Sequence, residues 1–105
     1  MTLDEYQQQA REFALYPTIS MVTYPALGLA SEAGEVAGKV KKWVRGDYLF
    51  LDPEAMQAEL GDVLWYVAML AKDCGLSLDK IAAANIAKLT ARDEAGTIRG
   101  DGDNR

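Results

Sequence analysis

The stretch from Asp52 to Gly75 constrains the fold more than any other part of the chain. Asp52-Pro53 joins a good helix N-cap to a proline at the first helical position, where its missing N–H costs nothing. Gly75, directly after Cys74, is a natural C-terminal stop. Between these marks the apolar residues recur at helical spacing, with no alternation of the kind a strand requires. At about 100° per residue, Met56, Leu60, Val63, Leu64, Val67, Leu70 and Cys74 form the main apolar stripe. Ala58, Trp65 and Met69 form a second strip on the opposite side. A helix that is apolar on two sides needs neighbours on both. A chain of 105 residues has room for one core, so this segment belongs to a single helical domain.

The rest of the chain supplies the neighbours. Thr2 and Glu5 make a capping-box signature, and Leu3, Tyr6, Ala10, Phe13 and Ala14 follow at helical spacing until Pro17 ends the helix. Pro25 suits the first turn of a second helix running to about Arg45, where Gly46-Asp47 stops it. Gly28, Gly34 and Gly38 lie inside that helix. Each costs about 1 kcal/mol of helix propensity, which predicts close approach of another helix or a ligand. Tyr48 to Leu51 reads as a brief apolar loop. Ser77 caps a fourth helix that fades near Ala95-Gly96, and Thr97 to Arg105 reads as an ordered arm or a frayed tail. Trp65 is expected to be structural and Trp43 to lie in the core. The fold class expected is all-α, a four-helix antiparallel bundle over residues 1–96 with a C-terminal arm over 97–105. A lone bundle of this size cannot cover a helix apolar on two sides, so a homo-oligomer is expected, a dimer or a tetramer of two dimers.

Composition narrows the chemistry. Sixteen acidic against eleven basic residues give a net charge of −5, which disfavours nucleic-acid polymers and anionic membranes as partners. The basic stretch Lys39, Lys41, Lys42 and Arg45 leaves room for a small phosphorylated ligand. The one cysteine, Cys74, has no intrachain disulfide partner. With no secretory signal, lipidation signal or long apolar run, a cytoplasmic protein is expected. The chain has no histidine. That removes the commonest general base, the Ser–His and Cys–His nucleophile pairs, and histidine-ligated metal sites. Hydrolytic chemistry here must run on carboxylates, lysine or a metal.

The carboxylates are arranged for it. Glu32 and Glu35 on the second helix and Glu59 and Asp62 on the third are each spaced i, i+3, one turn apart on one face. An antiparallel hairpin brings the two pairs side by side. Glu59 and Asp62 fall between the two apolar strips of their helix, with Tyr66 a turn further on, and Glu32 borders the stripe Leu29, Ala33, Val36 and Val40. Acids crowded in this way repel unless basic partners or a cation compensate. Lys39 and Lys42 share the face of Glu35. An all-oxygen site without histidine or thiolate suits Mg²⁺, with Mn²⁺ as the substitute. One isolated acidic pair is usually a solvated face; two on consecutive helices, each beside an apolar stripe, make a candidate magnesium site.

The run Ala26-Leu-Gly-Leu-Ala-Ser-Glu-Ala-Gly-Glu-Val-Ala-Gly-Lys-Val-Lys-Lys-Trp43, followed by Ala58-Glu-Leu-Gly-Asp-Val-Leu-Trp-Tyr66, resembles the MazG-like nucleotide pyrophosphohydrolases of the all-α NTP pyrophosphohydrolase superfamily. Its Glu-x-x-Glu and Glu-x-x-Asp motifs match Glu32, Glu35, Glu59 and Asp62, and Asn85 to Arg92 resembles the family's Asn/Lys/Arg segment. The ending Gly100 to Arg105 is similar to small single-domain phage and bacterial members. Many members carry two glutamates at the start of the first motif, where this chain has Ser31-Glu32. The resemblance implies hydrolysis of a nucleoside triphosphate between the α- and β-phosphates. Mg²⁺ would be held by Glu32, Glu35, Glu59 and Asp62 and would lower the pKa of water. Glu32 or Glu35 would accept the proton. Lys39, Lys88 and Arg92 would neutralise phosphates, and Tyr66 and Asn85 would contact the nucleotide. Two further readings stay open at this point: a narrower dCTP, dUTP or phosphoribosyl-ATP pyrophosphohydrolase, and a non-catalytic metal-binding or interaction bundle.

Overall fold

The computed structural model describes residues 1–105 and contains four α-helices and no strand. Helix α1 spans Leu3–Ala10 and continues into a 3₁₀ turn at Arg11–Phe13; a second 3₁₀ turn covers Thr18–Ser20. Helix α2 spans Thr23–Val44, α3 Pro53–Asp73 and α4 Leu78–Ala95. Three of the four starts are capped by the residues the sequence marks. Thr2 Oγ1 accepts from the Glu5 N–H at 3.0 Å while Glu5 Oε1 accepts from the Thr2 N–H at 3.3 Å. The side chains of Asp52 and Ser77 accept from Glu54 N–H at 3.1 Å and Lys80 N–H at 3.2 Å. Gly75 and Gly96, each at φ 73°, close the last turns of α3 and α4 in the left-handed region.

The start of α2 is different. Val22 stands at its N-cap with φ 66°, a costly conformation for a β-branched residue, and offers no side-chain cap. What holds it there is Asp73, the last residue of α3. Its Oδ2 accepts from the Val22 N–H and from the Tyr16 hydroxyl, both at 2.9 Å. Burial alone raises the Asp73 carboxyl, but the Val22 amide, the Tyr16 hydroxyl and nearby Lys72 outweigh it and hold the group below its ordinary value. The same contacts push the Tyr16 phenol, already raised by burial, up to about 12. This clasp ties the beginning of α2 to the end of α3 and so fixes the two as an antiparallel pair.

Helix α3 is the central element, as its two-sided pattern requires, but its faces are used in an unexpected order. The core is Ala10, Ala68, Met69, Ala71 and Leu78, with Tyr6, Ala14, Tyr16, Trp65 and Val67 packed around it. The second strip, Trp65 and Met69, is therefore the one buried against α1. Trp65 is structural, and its Nε1–H donates to the Ala10 carbonyl at 3.1 Å. The main stripe is left half open: Leu60 is 53% exposed and Leu64 39%. The reason is topological. Helix α4 packs chiefly along α1, with only marginal contact to the α2–α3 hairpin, so Leu60 and Leu64 stay uncovered while Val67 of the same stripe reaches the core. The four helices thus form an open array instead of a closed bundle, with a radius of gyration of 16.5 Å, against about 13 Å for a compact domain of this length. Trp43, expected in the core, lies exposed on the last turn of α2. Gly28 has the close neighbour its position predicts, the Tyr66 ring, whereas nothing approaches the Cβ positions of Gly34 and Gly38.

Candidate functional site: carboxylates across the hairpin

The α2–α3 hairpin runs antiparallel, so Gly28 near the start of α2 meets Tyr66 late in α3, and Lys39 late in α2 meets Glu59 early in α3. Between these two contacts lie the acids. One carboxylate oxygen each from Glu32, Glu59 and Asp62 lies within 4.8 Å of the others. Glu35 is not part of this group. It stands one turn along α2 with its side chain exposed, near enough for its charge to act on Glu32. Three of the four predicted acids are therefore brought together, and the fourth sits beside them in solvent.

Glu32 and Glu59 are half-buried. Burial, then the charges of Asp62, Glu59 and Glu35, push the Glu32 carboxyl above its ordinary value. The compensating cation within the chain is Lys39, whose Nζ lies 3.7 Å from Glu59 Oε1, a loose pair that leaves Glu32 and Asp62 opposed. Octahedral Mg²⁺ holds neighbouring oxygens about 3 Å apart and opposite ones about 4.2 Å apart, so three oxygens within 4.8 Å of one another are spaced on the scale that one ion spans. The donor set is all oxygen, the preference of a hard cation, and the excess negative charge is what such an ion relieves.

Aromatic rings wall the site on the Gly28 side. Tyr66 packs on Gly28, edge-on to Trp65 at 5.0 Å between ring centres and 6.1 Å from Tyr24, which in turn stacks on Tyr16 at 5.0 Å. Pairing with the Tyr24 phenol, burial, and the charges of Glu32 and Asp62 all push the Tyr66 phenol up. Burial and the charge of Asp62 do the same to Tyr6 on α1. Tyr66 thus lies where the sequence places it, beside the acids. Tyr24 and Tyr6 are additions that sequence reasoning missed. For Tyr24 a signal existed: it precedes Gly28 by one helical turn, and a glycine at that spacing leaves room for a ring from the facing helix.

The residues expected on α4 are not at the cluster. Asn85 is exposed on that helix. Lys88 Nζ lies 3.2 Å from Asp103 Oδ1, and Arg92 Nη2 donates to the same oxygen at 3.2 Å and to the Asp103 carbonyl at 3.0 Å. Arg92 is buried, and its Nε–H has no partner. The arm also folds back on itself: Arg105 donates to the carbonyls of Thr97 at 3.2 Å, Ile98 at 3.3 Å and Gly102.

Comparison with known proteins identifies a family for the segment that carries the acids. The MazG nucleotide pyrophosphohydrolase domain profile matches residues 23–97, the whole of α2, α3 and α4 with the loops between them. The chain is 42% identical over 114 aligned residues to the Gene 37 protein of Mycobacterium phage L5, a match covering all of both sequences. No solved structure matches. No helix is long and apolar enough to cross a membrane.

Proposed function

The chain belongs to the MazG nucleotide pyrophosphohydrolase family, and from that premise we propose that it hydrolyses (deoxy)nucleoside triphosphates, with Mg²⁺, to the monophosphate and pyrophosphate. Family membership supports nucleotide pyrophosphohydrolase activity in general; the ion, the bond attacked and the residue roles are our reading. The observation that carries it is the meeting of Glu32, Glu59 and Asp62 across the hairpin, beside Lys39 and Tyr66.

Glu32, Glu59 and Asp62 would hold the ion, with Glu35 beside the group and outside it. When bound, Mg²⁺ supplies positive charge to the triphosphate oxygens and increases the acidity of water; Mn²⁺ is the expected substitute. Glu35 is the proton acceptor we favour, because its side chain is exposed and adjacent to the three carboxylates without being one of them. The water oxygen forms a bond to the α-phosphorus, its proton passes to the Glu35 carboxylate, and the bond to the α–β bridging oxygen breaks with the electron pair leaving on pyrophosphate. Lys39 moves from Glu59 to the phosphates once a cation takes over the acid's charge. Tyr66 presents its hydroxyl beside the acids, as a donor to the nucleotide.

Asn85, Lys88 and Arg92 enter this scheme through self-association. The uncovered Leu60 and Leu64 on α3, and Ile81, Ile86 and Leu89 on α4, are apolar surface that a second copy would bury. A dimer, or a tetramer of two dimers, would also carry the α4 cations of one copy to the hairpin of another. We assign the activity to cytoplasmic nucleotide pools, with no polymer or membrane partner.

The test is pyrophosphate release from each nucleoside triphosphate with Mg²⁺ and then with EDTA. Release that stops with EDTA and in Glu59→Ala and Asp62→Ala proteins supports the reading. Release that persists in either variant removes the metal assignment. Absence of release from every nucleotide leaves a binding module, and a single accepted base among dCTP, dUTP and phosphoribosyl-ATP narrows the enzyme accordingly.

A further inference from the structure

The loop between α2 and α3 is the one stretch of the hairpin whose apolar residues have no role in the scheme above. It is not slack. Gly46 turns the chain at φ 93°, Arg45 clamps Asp47 through its Nε at 2.9 Å and its Nη2 at 2.8 Å, and the Asp47 N–H returns to the Lys42 carbonyl at 2.9 Å. At the other end Asp52 caps α3. Fixed at both ends, the loop nevertheless holds Leu49 97% exposed and Phe50 70% exposed. Apolar side chains displayed on a braced loop mark a surface built to receive something.

Together with Tyr48, Leu51, Asp52, Ala55 and Lys39 they line an open concavity of about 510 Å³, inside the range of roughly 300–1,000 Å³ typical of small-molecule sites. Its lining is mainly apolar with two rings, and its charged contributions are the Lys39 ammonium and the Asp52 carboxylate that caps α3. Lys39 decides what it fits, for this residue also reaches Glu59 in the acid cluster at 3.7 Å. One side chain is thus shared by an apolar, ring-lined pocket and a polyanion-handling site. A ligand that fills both needs a flat, largely apolar group joined to a phosphate chain by a short linker. We propose that this cavity receives the base of the nucleotide, with the Tyr48 and Phe50 rings as its stacking surfaces and Lys39 as the wall between base and phosphates. The inference rests on the nucleotide reading given above and deepens it, making Phe50 a determinant of substrate affinity.

The experiment is steady-state kinetics on each deoxynucleoside triphosphate for wild type, Phe50→Ala and Phe50→Trp, with inorganic tripolyphosphate as a base-free competitor. Loss of one stacking ring is expected to raise KM about tenfold, leave kcat within about twofold, and leave tripolyphosphate inhibition unchanged, while Phe50→Trp restores KM. Because Phe50 is mostly exposed, its truncation leaves the fold intact, which the thermal midpoint checks. An active Phe50→Ala enzyme with unaltered KM for every base overturns the pocket assignment and leaves the pyrophosphohydrolase reading standing. If Phe50→Ala instead changes the molecular mass by light scattering with KM unaltered, the loop is a contact between copies and the assignment is equally overturned. Should wild type hydrolyse nothing, saturation-transfer NMR with dAMP and dTMP on the metal-free protein decides the pocket alone: transfer lost in Phe50→Ala supports it, and no transfer to wild type overturns it.

Discussion

Two sets of carboxylates lie where helices meet, and they are treated in opposite ways. At the α1–α4 junction Asp4 accepts from Ser77 Oγ at 2.7 and 2.8 Å and from the Asp79 N–H at 3.0 Å. These bonds, the Asp79 amide first, hold its carboxyl below the ordinary value. Asp73 is handled likewise by Val22, Tyr16 and Lys72. In the hairpin, Glu32, Glu59 and Asp62 face one another with Lys39 as their one close cation, and Glu32 is pushed up. Donors are spent where a carboxylate joins helices and withheld where carboxylates converge. A folded chain tolerates such unrelieved repulsion where another species relieves it.

The sharpest way to break the contrast is to delete one acid from each set. Asp62→Ala is expected to lower pyrophosphate release by at least about 100-fold while the metal-free protein melts no lower than wild type, since a repelling charge has gone. Glu32→Gln should raise the metal-free midpoint and abolish the rise that saturating Mg²⁺ gives wild type, expected at about 2.7 kcal/mol when the ion is 100-fold above its Kd. Differential scanning calorimetry with and without EDTA reads both. A midpoint that falls in both variants without metal would show the acids to be structural and would erase the distinction.

Asp73 supplies the opposite arm. Its replacement by Asn strips a charged acceptor from the Val22 amide and the Tyr16 hydroxyl, a loss of about 1.5–3 kcal/mol at neutral pH. The sign of the pH dependence follows from the depressed carboxyl. Its stabilisation is complete above the ordinary value of 3.8 and is lost as pH falls from there through the lowered folded value. Asp73→Asn should therefore be less stable at pH 7 and show a flatter acid limb below about pH 4 in urea melts, with release per folded molecule largely kept. An acid limb as steep as that of wild type would separate Asp73 from the clasp.

How much of this was legible beforehand depends on range. Thr2, Asp52, Ser77, Gly75 and Gly96 act within one turn of themselves, and each helix end they mark is where the structure has it. The convergence of Glu32, Glu59 and Asp62 was also readable, because two i, i+3 pairs on a short antiparallel hairpin leave little freedom. Which strip of α3 would be buried was not. Both strips have the right period, and the choice depends on where α4 docks, a long-range matter settled by Asp4 meeting Ser77 and by Leu78 entering the core. Trp43 was misread for the same reason, since periodicity places it on a stripe without saying whether anything faces that stripe. The α4 cations were read from a resemblance in sequence, and in the single chain they serve Asp103.

Two glycines on α2 sharpen the contrast on a smaller scale. A methyl group at Gly28 collides with the Tyr66 ring, whereas one at Gly34 meets nothing within 4 Å. Gly34→Ala should thus gain up to about 1 kcal/mol of helix propensity and keep activity. Gly28→Ala receives the same gain but sets it against an overpacking cost of about 1–3 kcal/mol. It also swings the Tyr66 hydroxyl away from the acids, so activity should fall about tenfold. Equal midpoints and equal rates for the two variants would place Tyr66 outside the site.

The smallest effect belongs to the arm. Asp103 is 82% exposed, so its carboxylate pairs with Lys88 and with the buried Arg92 from the solvent side, where ion pairs add little to stability, and Arg92 keeps its bond to the Asp103 carbonyl whatever the side chain. Asp103→Asn is accordingly expected to leave the midpoint unchanged within error. Its consequence is local. Arg92 is buried with an unpartnered Nε–H, and with the arm's carboxylate gone its guanidinium and the Lys88 ammonium have no anion to hold. The segment after Gly96 should then be cut faster by trypsin at Arg99, and phosphate or pyrophosphate should slow that cutting by restoring an anion between the two cations. Such protection in Asp103→Asn, stronger than in wild type, would make Asp103 the internal occupant of an anion site and return Lys88 and Arg92 to the chemistry of the acid cluster. Protection equal in both proteins would leave them as the arm's anchor and confine phosphate handling to Lys39.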